Sequence, residues 1–367
     1  MSTFIRCNGF LTSNAVSSIR ISRSFATTSE SSTTRYMSTT SNSTIITTMA
    51  PIKLGNPSTF IINVLNSISP KPCPRSHTKA SEQMPWKTSI QGEEHDLTFM
   101  PYYSHTISTM NGRLSNLREL SFPPEYKYKE NLAKDTKKIS HNHQRTVSKS
   151  AARIINECYQ SDEYRKIRMT YYDAGETQVF NSLWYPRAEL GVDIPLLGID
   201  LIQFKNRYLV VVDFQPLQEG TQSIPEIQDV WERMPEVLRG RMSDRFYDEG
   251  RFFSNHMLFG RFGREKTLDG IVDVGGDLWD ACEKYLSLHI DMVQESMKRK
   301  EGADLDQESI EVASFLTLER HQEYDTYSAA RDPAHALFVR IFGKQFADGY
   351  VYDFLFSLSD SKVDDTQ

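Results

Sequence analysis

Cysteine is scarce: the 367-residue chain has four, Cys7, Cys73, Cys158 and Cys282, and no two stand at CxxC spacing. This excludes a zinc ribbon, an iron–sulfur site and a disulfide scaffold, and leaves each as a packed or surface thiol. Long apolar runs are missing too, and nothing approaches the roughly 20 residues of a membrane helix. Positive charge is not in excess: 42 Lys and Arg face 48 Asp and Glu, for a net charge of −6. The net charge therefore gives no support for binding of the whole protein to nucleic acid or an anionic membrane, and any basic dock must be local. A Gly-rich dinucleotide fingerprint, a P-loop and GxSxG are all absent. His256, His289, His321 and His335 lack metal-ligand spacing.

What is present is a globular composition, 39% hydrophobic and 11% aromatic, enough for one large domain or two ordinary ones. Residues 1–50 differ from the rest: 23 are Ser or Thr, and Arg6, Arg20, Arg23 and Arg35 outweigh Glu30. This is the composition of an organelle transit peptide, and ISRSFATTS at 21–29 fits a mitochondrial processing region. Pro51, Pro57, Pro70, Pro72 and Pro74 break up any long element after it, so 51–105 is expected to be a linker and 106–360 the working domain.

From Tyr164 the pattern alternates. YRKIRMTYYDA, ETQVFNSLWYP, PLLGIDLIQF and YLVVVDFQPL are rich in β-branched and aromatic residues, and their short links predict an antiparallel meander. RFFSNHMLFGRF at 251–262 is expected to add a strand, and TVSKSAARIINECY at 146–159 to form a preceding helix. Helical periodicity then takes over, in 277–300, in roughly 306–328, from Asp332-Pro333, and from about Lys344 to Phe356. The expected class is α/β, as a three-layer α/β/α sandwich around a largely antiparallel sheet.

Asp200 stands among Leu196, Leu197, Ile199, Leu201 and Ile202, a costly place for an unpaired charge. It reads either as a buried carboxylate satisfied by an Arg or backbone amides, or as an acid of raised pKa able to deliver a proton. Asn181 is a polar group on the apolar strand face of Val179, Leu183 and Tyr185, so it bonds a neighbour or touches a ligand. Asp213 reads as structural, and His289 as a packed core residue. Asp332 precedes a proline, where its carboxylate would cap a helix start or, beside a cavity, hand over a proton.

VFNSLWYPRAELGVDIPLLGIDLIQF with VVVDFQPL, and YDTYSAARDPAHALFVRIFGKQFADGYVYDFLF, together resemble the ferredoxin-dependent bilin reductases, from about Ala151 to Phe356. The likeness is strongest to the branch that forms phycoerythrobilin from 15,16-dihydrobiliverdin. The resemblance implies a linear tetrapyrrole held between the sheet and the C-terminal helices, with no bound metal or flavin. It further implies electrons arriving singly from reduced ferredoxin, bilin radicals, and Asp200 and Asp332 as proton donors. Other branches carry His or Asp where this chain has Asn181.

Arg251, Arg261 and Arg331 are candidate rim cations for the propionates, each with a solvated surface arginine as the commoner alternative, and Asn181 is a candidate pigment contact. Arg165-Lys166-Ile167-Arg168 or Lys298-Arg299-Lys300 either meets acidic ferredoxin or is a solvated face, the commoner role of such a run. The alternatives are biliverdin reduction at the C15 bridge, both reductions in succession, or a non-catalytic bilin carrier. Hand-over of product to another bilin reductase or a lyase is a further expectation. The family's electron donor implies a plastid, whereas the presequence alone also fits a mitochondrion.

Overall fold

The computed structural model describes residues 86, 88–90, 96–132, 151–241, 251–265, 270–302 and 306–359. The expected transit peptide at 1–50 lies outside the described residues. The boundary drawn at 106 falls inside a packed helix, α1 (Met100–Arg113), whose Tyr102, Ile107 and Met110 are buried. Trp86 and Phe99 are buried ahead of it. The packed domain thus begins before 106.

Eight strands form one sheet. β1 (Arg118–Glu119) and β2 (Tyr128–Asn131) both pair with β3 (Ala152–Gln160). A meander then runs through β4 (Tyr164–Asp173), β5 (Gln178–Pro186), β6 (Leu196–Phe204), β7 (Arg207–Gln215) and β8 (Leu258–Gly263). Every pairing between these strands is antiparallel.

The helix expected over 146–159 is instead β3 wherever it is described. Both faces of that strand are covered, so Ile154 and Cys158 pack into one core and Ile155 and Tyr159 into the other. A strand buried on both sides loses its alternation, and Ile154-Ile155 fits a helical stripe equally well. β8 is shorter than the expected 251–262 for a different reason. Asp213 accepts bonds from the Ser254 amide (2.9 Å) and hydroxyl, drawing that segment out of strand geometry, and Phe252 has a φ of 60°.

One face of the sheet packs against α1, α2 (Pro225–Arg233) and α3 (Asp277–Glu301). There His289 is a satisfied core histidine, bonded to the Tyr164 hydroxyl (2.9 Å) and the Pro195 carbonyl (2.8 Å). Burial pushes its pKa down to about 4. The other face carries α4 (Gln307–Arg331), α5 (Ala334–Phe342), α6 (Lys344–Gly349) and a π-helical turn, Tyr350–Leu355. The three layers are those the sequence predicts.

Polar contacts fix the turn to the sheet. Thr170 donates to Asn156 Oδ1 (2.7 Å), and the Tyr350 hydroxyl lies 3.0 Å from both groups, all in the interior. Thr170→Val should therefore cost about 1 kcal/mol, read as a lower urea midpoint at unchanged m. Stability equal to wild type would show that the turn is held by its aromatic packing alone.

Candidate active site

Among the described residues the helical layer leaves part of the sheet only half-covered. Under α5, α6 and the π-helical turn, Asn156, Arg168 and Thr170 are buried. Further along the same face Asn181, Gly198, Asp200, Ile202, Leu209 and Val211 are each half-buried, while their strand neighbours facing the other layer are buried. Alternation explains this contrast: residues two apart share a face, and this part of that face carries less helix. The result is a mainly apolar floor over β5–β7, with two polar side chains at its centre.

Those two are Asn181 and Asp200, paired directly across the β5–β6 ladder. Asn181 Nδ2 donates to Asp200 Oδ1 at 3.3 Å, and Arg168 on β4 donates to Asn181 Oδ1. Burial is the main force on Asp200 and lifts its pKa to about 6; the Asn181 bond and the Arg168 charge oppose the rise, and Asp332 adds to it. Although part of its surface is accessible, desolvation dominates because the carboxyl lies mid-strand against apolar neighbours. Such an acid is partly protonated near neutral pH and can donate.

Asp332 lies in the break between α4 and α5. It ends α4 and its Oδ1 accepts the Ala334 amide at 2.7 Å, so it bonds the first turn of α5 from one position before the N-cap, Pro333. Burial raises its pKa, against the pull of the Ala334 amide, Arg168 and His335. Asp332 thus adds to the rise at Asp200, and burial holds both acids toward the protonated form.

The three arginines separate. Arg331 stacks over the Tyr327 ring at 4.0 Å and Arg251 over the same ring at 5.2 Å. Arg251 also lines an open cavity of about 380 Å³ with Arg320, Glu319, Glu323 and Phe252. None of that cavity's lining comes from the sheet, so it is distinct from the floor around Asp200. Arg261 is exposed on β8 opposite Leu209, which in turn faces Ile202, and so shares the face of Asp200.

The run 165–168 is not a surface dock. An irregularity between Tyr164 and Lys166 makes Arg165 the extra residue of β4. Arg165 and Lys166 both lie against Tyr185, with Arg165 4.3 Å from the ring and bonded to His321. Lys166 caps the end of the π-helical turn, and Arg168 reaches Asn181 and the Phe356 ring. The one signal for these inner cations is the alternation of Lys166, Arg168 and Thr170 with Ile167, Met169 and Tyr171, which the run of adjacent basic residues masks. By contrast, Lys298 and Arg299 are exposed in the last turn of α3.

Among the described residues there is no cluster of His, Cys, Asp and Glu able to hold a metal, and no helix long and apolar enough to cross a membrane. Residues 112–357 match the ferredoxin-dependent bilin reductase family, and the chain belongs to it. It is a ferredoxin-dependent bilin oxidoreductase, with ferredoxin as the external electron donor and a bilin as substrate.

Among its relatives is the 15,16-dihydrobiliverdin:ferredoxin oxidoreductase of Nostoc punctiforme, 35% identical over 57% of this chain and 80% of that protein. The Gloeobacter violaceus protein of the same name is 36% identical over 55% and 78%. The fold is similar to phytochromobilin synthase from tomato in complex with biliverdin, at a TM-score of 0.52 and 18% identity over 71% and 83% of the two chains.

Proposed function

We propose that the chain reduces biliverdin at its C15 bridge to 15,16-dihydrobiliverdin. Relatives a third identical are named for that compound with ferredoxin, and an oxidoreductase name of this form puts the reduced compound first. The overall change adds two electrons, one from each of two reduced ferredoxins, and two protons, leaving one hydrogen on each of C15 and C16. Single electrons imply a bilin radical between the two transfers.

The observation that carries the mechanism is the Asn181–Asp200 pair on the half-buried floor. A flat pigment on that floor has apolar contacts below it, Asn181 for a polar edge, and Asp200 in position to protonate it. Arg331 beside Tyr327, and Arg261 on the edge strand, would meet the propionates, whereas Arg251 lines the separate cavity. The exposed end of α3 at Lys298–Lys300 is the ferredoxin dock on this reading. A plastid is the matching compartment, which import of residues 1–50 fused to a fluorescent protein would check.

A second reading has its own support. Asp332, in the RDP segment, is a second acid coupled to Asp200, which suits reduction of the A-ring diene of 15,16-dihydrobiliverdin to phycoerythrobilin. Anaerobic turnover with reduced ferredoxin decides between the two. Consumption of biliverdin with accumulation of 15,16-dihydrobiliverdin supports the first, and inertness toward biliverdin with consumption of 15,16-dihydrobiliverdin supports the second. Pigment binding without any ferredoxin-dependent colour change would make the protein a carrier.

Asp332→Asn should slow turnover about tenfold or alter the product, the scale of a secondary proton donor. Unchanged rate and product would reduce Asp332 to a cap. Because Asp200 titrates near 6, kcat/KM should fall as pH rises through about 6 to 7, as the donor loses its proton. A profile flat from pH 5.5 to 8 would contradict donation by this group.

A further inference from the structure

An asparagine amide has two chemically opposite ends, and on this floor its orientation decides where a proton can go. With its N–H toward Asp200, Asn181 only donates to the carboxyl. Turned over, its oxygen would accept the O–H of a protonated Asp200 and hold that hydrogen in a side-chain bond. Arg168 selects between the two. A guanidinium has five donors and no acceptor, so only Oδ1 can face it, and the Arg168 Nη1 contact falls on that oxygen.

We propose that Arg168 is the positioning residue of this site: by occupying the Asn181 oxygen it keeps the amide N–H on Asp200 and leaves the Asp200 hydrogen free for the bilin. This deepens the reading of Asp200 as proton donor and rests on it.

Arg168 is suited to the task because it has little freedom. It is 4% exposed and held over the Phe356 ring at 5.3 Å. Its charge acts on Asp200 and Asp332 together, drawing both toward the ionised form. The other titratable groups facing it are Lys166 of β4, Cys158 of β3, Tyr185 of β5, Tyr324 of α4 and Tyr350 of the π-helical turn. His335 of α5 acts on Asp332 from the other side. An Arg168 that only pinned Phe356 and lent its charge would shift Asp200 equally with or without Asn181.

The test uses anaerobic single turnover of the full chain with reduced ferredoxin and whichever bilin the wild type consumes. Decay of the bilin radical is measured from pH 5.5 to 9. Arg168→Met should slow decay about tenfold and move the pH midpoint up by about one unit, since Asp200 then holds its proton more tightly and can share it with a turned amide. Arg168→Lys, which keeps a charge and a donor, should bring the midpoint back to within about half a unit.

Asn181→Leu should shift the profile in the same direction, and Arg168→Met should shift it less in that background than it does alone, because the part carried by the amide is already gone and only the direct effect of the charge is left. A wild-type profile in Arg168→Met, or fully additive shifts in the double variant, overturns the proposal. Should Arg168→Met fail to fold, an unshifted profile in Asn181→Leu overturns it equally. Failure of the underlying donor reading shows separately, as full turnover by Asp200→Asn.

Discussion

Asp200→Asn should bind pigment and lose turnover by about 10²- to 10⁴-fold, the range associated with removing a positioned general acid. The carboxamide matches the carboxyl in shape and its oxygen can still accept the Asn181 N–H, so the floor keeps its form. What disappears is the transferable hydrogen. One electron can still enter, and the reaction should stop at a long-lived radical, visible by electron paramagnetic resonance and as a persistent near-infrared band. Turnover within a factor of a few of wild type would remove Asp200 from the mechanism.

Linkage supplies an independent check on the same variant. Folding raises the Asp200 pKa from 3.8 to about 6, so the folded state binds this proton more tightly than the unfolded chain. Its favourable contribution is complete below about 4 and is lost as pH rises through 6. At pH 8 the ionised carboxylate is a net cost, and Asp200→Asn should be more stable than wild type by up to ~2 kcal/mol. At pH 4 the two should match.

The second large effect is on stability. Lys166 is buried, and its ammonium donates to the carbonyls of Phe354 (2.7 Å) and Leu355 (3.2 Å) and to the Ser357 hydroxyl (2.9 Å). A helix end sealed from water needs such donors for its last carbonyls. Lys166→Met keeps the stem and removes all three bonds, leaving two carbonyls without their donor. The loss should be about 3 kcal/mol, net of the relief from burying a cation.

For a domain of this size that is a fall in Tm of roughly 6–12 °C. Burial lowers the Lys166 pKa to about 8, so in the wild type this residue's contribution to stability should grow as pH rises from about 8 toward 10.5. The variant should lack that rise. A Tm within 2 °C of wild type would show that aromatic packing holds the turn unaided.

The meander and the C-terminal helices were legible because each keeps one period: β4–β7 alternate, and α3 repeats its apolar residues every third or fourth position. Asp200 was legible for the same reason, as one charge in an apolar strand. β3 was not, because burial on two faces erases the alternation. Nor was the inner role of Arg168: adjacent basic residues read as a solvated run until the irregularity at Arg165 and the cover from the π-helical turn direct them inward. Asp332 was found by its proline, but its coupling to Asp200 joins residues 132 positions apart and exists only in the fold.

The half-covered face has a consequence for handling the protein. Ile202, Leu209 and Val211 are only half-buried, and on the proposed reading a bound bilin finishes the layer over them. Loading and folding then share one free energy, so saturating bilin should raise the melting temperature in proportion to the logarithm of its concentration. The empty form is accordingly the one most prone to self-association during purification.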